Sequence, residues 1–260
     1  MEFEIVVVLV LLGLFGTIMN TMTGGGGGVV FIPILILLLD MPPNNAIATS
    51  FVAVTVGAAT STFAYWRQGA VDYRAGFALG LLTLPGAFLG AFVTSLVPTR
   101  AFNSILGFAI ISLALFAWFK RNPQFAAFKT NGTLREKPDY VVNRSIAYFF
   151  AVLTGVFAGI FGAGGGLIIT PAMALAGFPI QTAVGTSRLI VLILSIGAST
   201  MRASLGQAEV TYTLWLSAGS FCGAVIGARL VKVISSTNLI RLVTLLIVAL
   251  GVALVIDALV

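Results

Sequence analysis

Apolar residues in this chain neither alternate nor recur as stripes; they run on in long segments parted by short polar breaks. In the first half these segments cover roughly residues 3–20, 28–40, 45–65, 75–97 and 101–119. In the second half they cover 145–161, 166–177, 180–202, 210–232 and 238–257. A helix that crosses a bilayer needs about 20 predominantly apolar residues. Most of the segments approach that length, which predicts an all-α integral membrane protein. The second segment of each half is the exception. It is about a dozen residues long, below the usual spanning length, and a run of glycines precedes it.

Those glycine runs are the clearest polar-backbone feature of the chain. Gly24, Gly25, Gly26, Gly27 and Gly28 follow Thr23, and Gly164, Gly165 and Gly166 follow Phe161-Gly162-Ala163. Glycine loses the most backbone freedom on ordering, so such a run makes a poor helix interior. Irregular backbone at membrane depth is tolerated only where it is buried in protein or lines a polar cavity. The two runs also occupy equivalent places. Sliding residues 20–107 by 138 positions sets Gly26, Gly27, Gly28 and Pro33 on Gly164, Gly165, Gly166 and Pro171. After a one-residue gap the offset is 137, and Pro42, Ala46, Thr49 and Ser50 fall on Pro179, Ala183, Thr186 and Ser187. Gly69, Asp72, Gly86, Gly90 and Ala91 then meet Gly206, Glu209, Gly223, Gly227 and Ala228. The chain thus divides into a first transmembrane repeat (1–120), a hydrophilic linker (121–144) and a second transmembrane repeat (145–260).

Charge chooses between two topologies. If all ten segments cross, with the N-terminus outside, Arg67, Arg74, the six cations from Lys120 to Arg144, Arg229, Lys232 and Arg241 lie inside, against Arg100 and Arg202 outside. If each short segment merely continues its predecessor as one interrupted helix, eight spans result and the best split is nine against four. Positive charge collects on the cytoplasmic side, which favours ten, and the eight-span arrangement stays open as the alternative. Five segments per half make the repeats inverted relative to each other, with broken segments meeting near the midplane as in many secondary transporters. Both termini are then outside, and the acidic start Met1-Glu-Phe-Glu reads as the head of a permanent span, not a signal peptide.

Composition narrows the function. The chain is 59% hydrophobic and 8% charged, far from the roughly 25% charge of soluble domains. Its net charge of +6 belongs to loops, so nucleic acid is not an expected partner. It has no histidine and one cysteine, Cys222, which removes an internal disulfide and His-based catalysis or metal binding. No GxxxxGK[ST] nucleotide loop occurs. Neither enzyme activity nor a cofactor is expected; the partners are the bilayer and a small anion, with homo-oligomerisation open.

The anion follows from the same breaks. A helix starting after each glycine run would aim free N–H groups and its positive dipole end at a ligand. Close packing of small residues is the competing reading, and it suits Gly86/Gly90 and Gly223/Gly227 better. Thr49-Ser50 and Thr186-Ser187 could donate to an oxyanion or bond back to a carbonyl one turn earlier; Asn20, Thr21 and Thr23 share that status. Arg188 lies eight residues into its span, where a guanidinium costs at least ~2.5–3.5 kcal/mol unless it faces protein or water. Its planar fork suits sulfonate, sulfite or carboxylate oxygens. Asp72 and Glu209 read as solvated loop charges, Tyr65, Trp66, Trp118 and Trp215 as interfacial anchors, and Cys222 as a core thiol.

The glycine-rich breaks, the A-x-x-T-S and A-x-G-T-S elements at 46–50 and 183–187, the x-G-x-[VA]-[DE] runs ending at Asp72 and Glu209, and the later G-x-x-x-G-A runs resemble the TauE/SafE sulfite-exporter family, also called the toluene-sulfonate uptake permease family. The resemblance covers nearly the whole chain. It implies a multi-pass plasma-membrane protein moving sulfite, sulfoacetate or related organosulfur anions. It also implies that Gly24 to Gly28, Thr49, Ser50, Gly162, Gly164 to Gly166, Thr186 and Ser187 line the substrate pocket; Arg188 is added from depth and charge. The expected function is a secondary transporter with alternating access around a midplane anion site; an anion channel is the alternative.

Overall fold

The computed structural model describes residues 3–23, 27–119, 142–162, 165–207, 209–230, 245 and 248–256. Gly24, Gly25, Gly26, Gly164 and nearly all of the linker lie outside these. The elements are helices throughout: α1 (Phe3–Thr23), α2 (Gly28–Leu39), α3 (Pro43–Arg67), α4 (Tyr73–Leu96) and α5 (Thr99–Phe119). The second half gives α6 (Arg144–Phe161), α7 (Gly166–Leu175), α8 (Ile180–Ser204), α9 (Val210–Leu230) and a helix over 248–256, α10. Among the described residues six helices, α1, α3, α4, α6, α8 and α9, are long and apolar enough to cross a membrane. The protein is a multi-pass membrane protein, and α2 and α7 are the short second segments.

Why these helices form where they do is local. Pro42 and Pro179 stand as N-caps of α3 and α8, where a missing N–H costs little. Asp72 and Asn143 cap α4 and α6 by accepting from Ala75 N–H (3.0 Å) and Ile146 N–H (3.2 Å), satisfying orphan donors of the first turn. Side-chain size then decides which face turns inward. On α4 the small residues Gly76, Gly80, Thr83, Gly86, Ala87 and Gly90 are buried, while Phe77, Leu81, Phe88, Leu89 and Phe92 are exposed. Large apolar groups outside and small ones inside is the arrangement expected of helices packed together in lipid.

The helix pairing repeats itself when the two halves are exchanged. α1 packs along α9 and α4 along α6; α3 packs on α9 and α4 on α8; α3 and α8 pack on each other. The glycines show that the match is residue by residue. A Cβ at Gly86 would strike the Val152 carbonyl, and one at its mate Gly223 would strike that of Leu14, the mate of Val152. Gly90 on Val156 and Gly227 on Ile18 repeat the relation. These four glycines serve backbone approach, as the packing reading holds.

Helix direction follows from the same contacts. Gly16 meets Phe31 and Gly27 meets Asn20, so α2 runs back along α1. Likewise Asn143 N–H donates to Ala176 O (2.9 Å) while Gly165 meets Ala158, so α7 runs back along α6. Each short helix therefore folds back on its predecessor as a helical hairpin, and the interrupted-helix alternative is overturned. α3 and α8 cross head to tail: Asn44 and Asn45 meet Arg202 and Glu209, whereas Asp72 meets Thr186. Two bodies result, α1–α2–α3–α9 and α6–α7–α8–α4, each with one helix borrowed from the other repeat, and they meet chiefly along α3 and α8.

Candidate functional site

At the turn of the first hairpin three side chains from three helices converge. Arg188 of α8 is fully buried, and its Nη1 donates to Asn20 Oδ1 on α1 at 2.7 Å. The Asn20 amide nitrogen lies 3.2 Å from where a Cβ on Gly27 would stand, and Gly27 is the N-cap of α2. No side chain caps that helix start. Tyr65 of α3 closes the group by donating its hydroxyl to Thr21 O at 3.0 Å; it lies within electrostatic reach of the guanidinium. A buried cation, uncapped helix N–H groups and a hydroxyl thus surround one spot, and each of the first two favours negative charge.

Arg188 lies less deep than its place in the helix suggests. Ala70 lies against Gly185, and Asp72 N–H donates to Thr186 Oγ1 (2.9 Å). The α3–α4 loop therefore folds in to the second turn of α8, and Arg188 stands about one turn from that loop rather than halfway along the helix pair.

The remaining sequence candidates divide. Ser50 and Ser187 bond back to Ile47 O (2.9 Å) and Val184 O (2.8 Å), and Ser187 also accepts from Thr170 (2.9 Å). Their protons are committed to the backbone, the bland option for a membrane-helix serine. Thr186 is an acceptor for the Asp72 amide. The Thr49 hydroxyl is buried with no hydrogen-bond partner, as is that of Thr21. Gly27 and Gly28, like Gly165 and Gly166, form the helix starts after the breaks, while Gly25, Gly26 and Gly164 lie outside the described residues.

The second hairpin carries the counterpart group. Gly165, left-handed at φ +67°, is the N-cap of α7, again without a side-chain cap, and Gly162 ends α6 at φ +63°. Arg202 Nη2 donates to Gly159 O at 3.1 Å. Gly159 is the mate of Thr21 and Arg202 the mate of Tyr65, so equivalent side chains cap equivalent carbonyls. Arg202 is a residue that sequence reasoning placed in an outer loop; it is buried instead. Its mate departs from expectation too: Tyr65 is buried rather than interfacial, whereas Trp66 and Trp215 are exposed and the Trp118 side chain lies outside those described. Cys222 is exposed rather than in the core. The signal available for Arg202 was its alignment with an aromatic in a duplicated register.

The family model for the sulfite exporter TauE/SafE matches residues 9–254. The chain belongs to this family. It is 30% identical over 262 residues to the probable membrane transporter protein YunE of Bacillus subtilis, covering 94% of this chain and 95% of that protein. It is 25% identical to probable membrane transporter protein ORF9 of a Sinorhizobium species, covering 90% and 86%. A third relative, probable membrane transporter protein MJ0441 of Methanocaldococcus jannaschii, is 25% identical over 76% of this chain and 73% of its own length. No solved structure gives a significant match. Membrane transport is the activity this family membership carries.

Proposed function

We propose that the protein is a secondary transporter of small sulfur oxyanions or organosulfonates such as sulfite and sulfoacetate, working in the plasma membrane. The observation that carries this is the buried Arg188 guanidinium, held by Asn20 at the uncapped start of α2. A planar fork beside a helix N-terminus matches the charge and oxygen geometry of a sulfonate or sulfite. Thr49, with its unengaged hydroxyl, and the backbone of Gly27 and Gly28 complete the pocket. Gly165, Gly166, Thr186 and Ser187 hold the equivalent place in the second repeat, and the family resemblance carries them with Ser50 into the site.

Alternating access needs two bodies and a seam. The head-to-tail crossing of α3 and α8, which are repeat mates, supports inverted repeats. The exchanged helices support rocking of α1–α2–α3–α9 against α6–α7–α8–α4, rather than of residues 1–120 against 145–260. Arg188–Asn20 crosses that seam, so bound anion and body position are coupled there.

The test is uptake into proteoliposomes, screened over sulfite, thiosulfate, sulfoacetate and short carboxylates. Saturable, counter-ion-dependent flux is expected, where large unitary currents would instead indicate a channel. Arg188→Ala should lower uptake at least about 30-fold, the equivalent of ~2 kcal/mol for a truncated buried charge contact. Arg100→Ala, at an exposed position, should leave it within about twofold. Equal effects would remove Arg188 from the site.

A further inference from the structure

We infer that Arg202 forms a second oxyanion site, at the opposite end of α8 from Arg188. The inference rests on the reading that the transported solute is an oxyanion, and adds a second place for it to bind.

Arg202 is 2% exposed, yet every hydrogen-bond partner it has is neutral. Nη2 donates to Gly159 O at 3.1 Å, and Nη1 to Asn44 Oδ1 and Gln207 Oε1 at 3.4 and 3.3 Å. Nε is buried with no partner at all. A full positive charge enclosed by neutral acceptors, two of them held at long range, is costly unless an anion completes the shell. Structural need alone does not call for a cation here. At the mate position in the first repeat the same carbonyl cap is made by the neutral Tyr65.

The surroundings suit an oxyanion. Asn44 and Gln207 carry amides that can turn their NH₂ groups toward a ligand once the guanidinium is engaged by it. Gly165, at the uncapped start of α7, meets Ala158, the residue before the carbonyl that Arg202 caps, and Thr154, whose Cγ2 meets Gly165, has a buried hydroxyl without a partner. The exposed Glu209 accepts from Asn45 Nδ2 (3.2 Å), which turns that carboxylate oxygen to Asn45.

The two arginines share one helix and stand fourteen residues apart, about 21 Å at 1.5 Å per residue. Each also bonds across the seam between the two bodies, Arg188 to Asn20 and Arg202 to Asn44. An anion leaving one therefore has a second cationic station at the far end of the moving interface.

Equilibrium binding by calorimetry, on the full-length protein in detergent with sulfite under anaerobic conditions and then sulfate as probes, tests this. Wild type should bind two anions. Arg202→Tyr, which can supply the cap its mate supplies, and Arg202→Gln should each lose one site, weakened at least about 30-fold. Arg202→Lys, which keeps the charge, should retain it within about tenfold. Arg188→Ala should remove the other site only. A single site in wild type that Arg188→Ala abolishes, or two sites unchanged by both neutral Arg202 variants, overturns the inference and leaves the Arg188 reading standing. No binding of either probe to wild type overturns both.

Discussion

Arg188 and Asn20 show how one short contact separates stability from function. The amide oxygen is a neutral acceptor at 2.7 Å from a buried cation. Asn20→Ala leaves that cation short of a partner, which costs on the order of 2–5 kcal/mol and should lower the melting temperature in detergent along with uptake. Asn20→Asp does the opposite to stability. A carboxylate in the same place pairs with the guanidinium and with the start of α2, so the protein should melt higher. It should also stop transporting, because the position of the solute's charge is taken by the protein's own. A variant that melts higher and still transports would separate Arg188 from the anion path. Tyr65→Phe is the smaller change: it strips one hydrogen bond from Thr21 O, about 1 kcal/mol, with a correspondingly small drop in melting temperature.

At the scale of elements, the two glycine turns are equivalent in sequence but not in backbone, and their variants should differ. Gly27 sits at φ −58° in the right-handed region, so alanine fits its conformation and is tight only against the Asn20 amide and the Phe31 ring. Gly165 is left-handed at φ +67°, and a Cβ there would also press on Thr154. The left-handed conformation alone costs a residue with a side chain about 1–2 kcal/mol. Gly27→Ala should therefore insert, melt near wild type and transport less, with Gly27→Val abolishing transport. Gly165→Ala should melt measurably lower. Segment lengths and the 137–138 offset made the helices, their short second members and the paired glycine turns legible in the sequence, because burial in lipid writes itself as run length. Reversal of α2 and α7 was legible only through the count of loop cations, since a glycine run permits either a kink or a turn; the contacts of Gly16 and Gly27 decide it for α2, and those of Asn143 and Gly165 for α7. Asn20, Thr49 and Arg188 stood out as polar groups inside apolar runs. Arg202 did not, because at the last residue of a segment a cation looks like loop charge; it is buried against Gly159 of α6, Asn44 of α3 and Gln207.

For the whole molecule the direction of the helices sorts the charges. The ends of α3 and α9 lie together, since Tyr65 reaches Thr21 while Gly227 meets Ile18 and Thr21. The starts of α4, α6 and α8 join them through Asp72–Thr186, Ala70–Gly185 and the bond from Asn143 to Ala176. Arg67, Arg74, Arg144 and Arg229 thereby stand at one end of the bundle, whereas Arg100, just past the end of α4, stands at the other. We propose that these short-loop cations mark the cytoplasmic side, with Arg188 then toward the cytoplasm, and Arg202 and the start of α1 toward the outside. Replacing the exposed Cys222 with serine removes the sole native thiol, so single cysteines can report sidedness. In that background Arg74→Cys should resist a membrane-impermeant maleimide on intact cells and react after permeabilisation, and Arg100→Cys should react in both. The reverse pattern would turn the molecule over and exchange the two arginine stations, with Arg202 becoming the inner one. Uptake assays on symmetric vesicles would not register that difference, whereas the labelling does.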